Sequence, residues 1–246
     1  MGNEMTNPVW ANQAHDMVNT MPLSRFKLVL IDLDETLLDF KRAETDALRR
    51  SFEDFSLPYS AAAEAVFKAR NAELWKALER GETTQSELRA ERFRRMLAEL
   101  GWDADPVALG EAYVKRLSEC SYPLPGAVDA CAYLAGRYKL VALTNGIADV
   151  QRPRLANSAL APYIADIAVS EEAGANKPSP AAFEYACALA GVRDRDAVIM
   201  VGDSLESDIR GAFNYGIASC WYNPAGAPNG SGLRPDFELR SLGDIA

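Results

Sequence analysis

Two carboxylates two residues apart, Asp32 and Asp34, follow directly on the apolar run of residues 26–31. On an extended chain the side chains at i and i+2 share a face, so both acids would point to one side. Like charges that close repel, and the pair is costly unless a cation or a reaction requires it. A turn or helix cap after a strand is the competing reading. Thr144-Asn145-Gly146 closes a second apolar run. It offers a hydroxyl, an amide and a close backbone approach ahead of a helix N-terminus, which together suit phosphate, although such a triplet also serves as a plain turn. Lys177 stands before Pro178 and Ser179 at another predicted helix start, where the helix dipole disfavours a lone cation. A solvated surface lysine is one explanation, and counter-charge for acids and a phosphate is the other. Gly202-Asp203 ends a further apolar run, with Asp208 five residues on. If Asp32, Asp34, Asp203 and Asp208 cluster, they need positive charge, and an oxygen-only ligand set points to Mg2+ rather than zinc.

Composition narrows the chemistry. The single histidine, His15, lies in a polar stretch without periodicity, so acid–base work should fall to carboxylates. The four cysteines, Cys120, Cys131, Cys187 and Cys220, are too far apart for a zinc site or a compact disulfide framework. A net charge of −9 with acids and bases interspersed argues against nucleic acid or an anionic membrane as partner. No window approaches the roughly 18 apolar residues of a membrane span, and the N-terminus lacks a basic-then-apolar leader, so a cytoplasmic protein is expected.

The elements that must position these residues fall into three parts. Residues 1–24 carry no periodicity and read as a tail. Residues 25–40 and 120–246 alternate strand and helix, with strands predicted at 26–31, 139–144, 166–170, 197–201 and 218–222. This predicts an α/β, Rossmann-like parallel sheet with helices on both faces, whose ligands bind beyond the carboxyl ends of the strands. Residues 41–119 read instead as an all-helical insert, with Ser60, the Thr84…Glu87 capping box and Asp105-Pro106 as helix starts.

Asp32-Leu-Asp-Glu-Thr36, Thr144-Asn-Gly146, Lys177-Pro178 and Gly202-Asp-Ser-Leu-Glu-Ser-Asp208 resemble, in order and spacing, the four motifs of haloacid dehalogenase-like (HAD) hydrolases. The likeness spans residues 26 to 224, and the insert resembles the family's small helical cap. Pro123-Leu-Pro-Gly-Ala-Val128, Ser170-Glu-Glu-Ala-Gly174 and the stretch 200–209 are similar to noncanonical pyrimidine 5′-nucleotidases of that family. The resemblance implies a Mg2+-dependent phosphatase with Asp32 as nucleophile and Asp34 as general acid and base. It further implies metal ligation by Asp32, the Asp34 carbonyl, Asp203 and, directly or indirectly, Asp208, and phosphate binding by Thr144, Asn145 and Lys177. Thr36 would orient Asp34, and Gly146 and Gly202 would support the loops. Phe40, Trp75, Arg92, Phe93 and Tyr113 of the insert and its hinge are the candidates for contacting the substrate. The implied substrate is a small phosphate ester, a pyrimidine nucleoside monophosphate first and phosphoglycolate or a sugar phosphate second, handled by a monomer or homodimer. An acid at position 34 counts against dehalogenation, where a halide leaves without a proton. A phosphomutase and a non-catalytic sensor of a phosphorylated ligand are the remaining alternatives.

Overall fold

The computed structural model describes residues 25–245. The tail expected over 1–24, His15 included, lies outside the described residues. Six strands form one parallel sheet: β1 Leu28–Ile31, β2 Lys139–Thr144, β3 Asp166–Val169, β4 Val198–Gly202, β5 Ala218–Tyr222 and β6 Phe237–Leu239, in the order β3-β2-β1-β4-β5-β6. β1 is central, with Ile31 level with Ala142 on one side and Val201 on the other. The chain leaves β1 towards β2 and β3, then crosses over to β4 on the opposite side. Strand order therefore reverses at β1, and a crevice opens past the ends of β1, β2 and β4.

Alternation along the strands fills two apolar layers. Val29 and Ile31 pack against α5 (Ala127–Ala135) and the C-terminal Leu242 and Ile245 on one face. Leu28 and Leu30 pack against α8 (Pro180–Ala190) and α9 (Arg210–Tyr215) on the other. Every residue of β1 is buried, which is why the run shows no polar alternation in sequence.

Between β1 and β2 the chain makes α1 Phe40–Asp54, α2 Ala61–Glu79, α3 Gln85–Leu100 and α4 Pro106–Ser118. The starts of α2, α3 and α4 are set by the side chains anticipated for them: the Ser60 hydroxyl accepts from the Ala63 N–H, Thr84 and Glu87 close a full capping box, and Asp105 accepts from the Val107 N–H. Gly101 ends α3 at φ 67, a left-handed position that glycine takes without strain. Ala47, Phe52, Phe67, Phe93 and Tyr113 build a core among these helices that reaches Ile147 and Val150 at the start of α6 (Ala148–Ala156).

Three details depart from expectation. β6 was not foreseen: it has only three residues, and it follows a Gly/Pro/Asn-rich loop. Ser179 sits at the N-cap position of α8, yet its hydroxyl makes no capping bond. Asp208 lies in a π-helical turn, Leu205–Ile209, a stretch for which no element is predicted above. All four cysteines are buried and free. Among the described residues, no helix is long and apolar enough to cross a membrane.

Candidate active site

At the end of β1 the Asp32 N–H donates to the Val201 carbonyl at 2.9 Å, which keeps this residue in line with the sheet and buries its carboxylate. Lys177 reaches it from the loop before α8. Its Nζ donates to Asp32 Oδ1 at 2.5 Å, to Asp208 Oδ1 at 2.7 Å and to the Leu143 carbonyl at 2.8 Å. The lysine is itself fixed by Asn145: the Lys177 N–H donates to Asn145 Oδ1 at 2.7 Å, and Asn145 Nδ2 donates back to the Lys177 carbonyl at 2.9 Å. The Asn145 side chain is thus a brace between two loops here, where sequence had cast it as a phosphate ligand.

Asp203 extends from the end of β4. Its N–H donates to Thr36 Oγ1 at 3.1 Å, and Trp221 Nε1 donates to its carbonyl at 2.8 Å. Thr36 accordingly steadies Asp203 rather than Asp34, because the turn after Asp34 swings the hydroxyl towards the β4 loop. Glu35 holds that turn at φ 64, its carboxylate fixed by the Lys41 N–H at 3.0 Å. The π-helical turn brings Asp208 back over β4, where its Oδ2 accepts from the Ser204 N–H at 3.1 Å. Gly202 is required for this: a Cβ there would collide with the Asp208 carboxylate.

Carboxylate oxygens of Asp32, Asp203 and Asp208 lie within 4.8 Å of one another. Burial pushes Asp32 well above the usual carboxylate range; Lys177 opposes this, and the charges of Asp208 and Asp203 add to it. Asp203 is pushed up to about 6, by burial first and Asp208 second. For Lys177 burial works against the charge, but Asp208 and Asp32 outweigh it and hold the ammonium above its ordinary value. Three acids facing one lysine leave negative charge uncompensated, and an all-oxygen donor set of this spacing fits a hard divalent cation such as Mg2+.

The Asp34 carboxylate is held apart from that triad. Arg154 Nη1 donates to Asp34 Oδ1 at 2.6 Å, and Gln151 Nε2 donates to Asp34 Oδ2 at 2.6 Å. Arg154 Nη1 also donates to Gln151 Oε1 at 2.8 Å, and Gln151 Nε2 to Thr144 Oγ1 at 3.0 Å. Arg154 Nε reaches the Cys120 carbonyl at 3.0 Å, where the chain re-enters the sheet after α4. Gly146 makes room for this assembly, since a Cβ would run into the Gln151 side chain. The N–H of Ala148, at the start of α6, is taken by Glu171 of the short α7 (Ser170–Ala173) at 2.8 Å. Neither Gln151 nor Arg154 was singled out from sequence. The available signal was their spacing of three on the helix after Thr144-Asn145-Gly146, which puts both on the buried stripe with Val150 and Leu155.

Asp32, Asp34, Thr144, Gln151, Lys177, Asp203 and Asp208 line one cavity of about 300 Å³, at the lower end of the size range of ligand sites. Phe40, Trp75, Arg92 and Tyr113 form its helical side. Phe93, the fifth candidate, does not reach it; its ring packs 5.1 Å from Phe67 and 5.5 Å from Tyr113 in the helical core. α3 turns Arg92 to the cavity and Phe93, one residue on, to its neighbours.

The haloacid dehalogenase-like hydrolase family matches residues 26–216. Pyrimidine 5′-nucleotidase YjjG of Escherichia coli is 35% identical, over 88% of this chain and 95% of its own. Pyrimidine 5′-nucleotidase PynA of Streptococcus pneumoniae is also 35% identical, over 89% of this chain and 93% of its own. The magnesium-bound crystal structure of the HAD-hydrolase YfnB of Bacillus subtilis superposes with a TM-score of 0.82 at 36% identity, covering 90% of this chain and 97% of that one.

Proposed function

The chain belongs to the haloacid dehalogenase-like hydrolase family, and on that premise we propose that it is a Mg2+-dependent phosphatase acting through an aspartyl-phosphate on pyrimidine nucleoside 5′-monophosphates. One observation carries the reaction type: Asp34 faces the same cavity as the buried Asp32, clamped by Gln151 and Arg154 outside the carboxylate triad. A second acid kept off the metal ligands is what an alkoxide leaving group requires and a halide does not.

In the proposed reaction a carboxylate oxygen of Asp32 attacks phosphorus, forming an acyl phosphate as the bond to the ester oxygen breaks. Asp34 gives its proton to that departing oxygen. The same carboxylate then takes a proton from a water that attacks phosphorus, releasing phosphate and restoring Asp32. Lys177 holds Asp32 in place and offsets charge on the phosphoryl oxygens, with Thr144 at the same end of the cavity. Mg2+ held by Asp32, Asp203, Asp208 and the Asp34 main-chain carbonyl would supply further positive charge against the phosphoryl group. Helices α1–α4 would act as the cap that excludes water and selects the leaving group.

The nucleotide assignment rests on the two relatives named as pyrimidine 5′-nucleotidases and on the aromatic lining from Phe40 and Trp75. Comparing kcat/KM for dUMP, TMP, AMP, phosphoglycolate and a hexose phosphate tests it. A non-nucleotide ester preferred more than about tenfold over every pyrimidine nucleotide would overturn the substrate and leave the chemistry standing.

A further inference from the structure

Of the three clustered acids, Asp203 is the one without a cation of its own. Lys177 Nζ pairs with Asp32 at 2.5 Å and with Asp208 at 2.7 Å, and among the described residues no ion pair reaches Asp203. Its carboxylate nevertheless stays within 4.8 Å of the other two. Like charges this close repel, and an acid just past the end of a strand can relieve that by swinging its loop outward. The side-chain contact that opposes such a movement is long: Thr36 Oγ1 lies 3.4 Å from Asp203 Oδ1.

The main chain supplies the restraint that the side chain lacks. The Asp203 N–H donates to Thr36 Oγ1 at 3.1 Å on the β1 side, and its carbonyl accepts from Trp221 Nε1 at 2.8 Å on the β5 side. Trp221 stands level with Gly202, the last residue of β4, so its ring reaches one residue past the end of that strand. The indole is buried and its N–H can only donate, so packing sets its place and one acceptor sets its bond. Trp221 does not line the cavity, so any effect it has on a bound ion runs through Asp203.

We propose that Trp221 is a positioning residue for the metal site: with Thr36 it fixes the Asp203 main chain from both sides, holds the three carboxylates at a set spacing before a cation arrives, and thereby favours Mg2+ over Ca2+. This rests on the Mg2+ reading above. Mg2+ demands near-ideal octahedral geometry at about 2.1 Å from its oxygens, whereas Ca2+ accepts about 2.3–2.6 Å and irregular arrangements. A loosened Asp203 therefore harms Mg2+ binding more than Ca2+ binding.

The test measures Mg2+ and Ca2+ affinity by titration calorimetry, without substrate, in the full-length wild type, in Trp221→Phe and in Trp221→His, at about pH 8, where imidazole is neutral. Trp221→Phe keeps an aromatic ring and loses the N–H. Trp221→His puts a ring N–H where the indole has one, but gives up more of the buried apolar surface. Trp221→Phe should weaken Mg2+ at least about tenfold, the size usual for the partner of a metal ligand, and Ca2+ several-fold less. Trp221→His should stay much closer to wild type for Mg2+ despite a lower Tm. Wild-type Mg2+ affinity in Trp221→Phe, equal losses for the two ions, or a loss in Trp221→His as large as in Trp221→Phe would each overturn the proposal and leave Trp221 a packing residue. Should Trp221→Phe not fold, Trp221→His decides alone: a wild-type ratio of Mg2+ to Ca2+ affinity upholds the proposal and a lowered ratio overturns it. A wild type that binds no Mg2+ would show instead that the metal reading has failed, and the proposal falls with it.

Discussion

Arg154, with no solvent exposure of its side chain, donates to Asp34 Oδ1 at 2.6 Å and so fixes the proposed proton carrier from beneath the cavity. The same guanidinium reaches the Cys120 carbonyl and lies over the Phe40 ring at 5.5 Å. Both residues sit where the chain passes between the sheet and helices α1–α4, so the orientation of Asp34 is tied to the position of those helices.

Arg154→Met is expected to destabilise the protein by about 1–3 kcal/mol, below the usual loss for a broken buried pair because Asp34 is 26% exposed and water can replace the arginine. Urea unfolding reads this loss. Turnover of UMP should fall about 10- to 100-fold, and that of p-nitrophenyl phosphate several-fold less, because a good leaving group needs little help from a well-placed acid. An equal drop on both esters would mean that Arg154 does not act through Asp34.

Lys177→Ala leaves Asp32 and Asp208 buried side by side without their shared cation. Removing one partner of such a cluster typically costs about 3–5 kcal/mol. Added Mg2+ should recover part of the lost thermal stability, since it replaces positive charge, but not the turnover. Thermal unfolding with and without Mg2+, alongside phosphate release, checks both halves. Wild-type turnover in this variant would place Lys177 outside the reaction.

Much of the sheet was legible because its strands are buried on both faces and read as unbroken apolar runs between turn residues. Three helices of the insert, α2, α3 and α4, were legible through their caps at Ser60, Thr84 and Asp105. What escaped depends on contacts between distant segments. Gln151 and Arg154 share a helical stripe with Val150 and Leu155, but only the packing of α6 against the β1 turn shows that they meet Asp34. Thr36 sits beside Asp34 in sequence but meets Asp203, which is 167 positions away. Arg92 and Phe93 illustrate the same limit: periodicity places both on α3, but not which one turns to the cavity.

The acid cluster makes a pH prediction of definite sign. Asp203 titrates at about 6 in the fold against 3.8 as the reference value, so the folded state favours its protonated form. Without metal, its contribution to stability is largest below about pH 4, declines up to about pH 6 and is flat above. Asp32, raised for the same reason, acts in the same direction. Mg2+ prefers the ionised acids, so the rise in Tm on adding Mg2+ should be small near about pH 5 and larger near about pH 7.5. A Mg2+ effect independent of pH across this range would argue against Asp203 as a ligand.

Asp32→Asn tests the central claim most directly, because the amide is close in shape to the carboxylate yet far poorer as a nucleophile. Mg2+-dependent phosphate release from p-nitrophenyl phosphate should fall by about four or more powers of ten, with the far-ultraviolet circular dichroism unchanged. Residual activity above about one per cent of wild type in a folded variant would contradict a covalent role for Asp32.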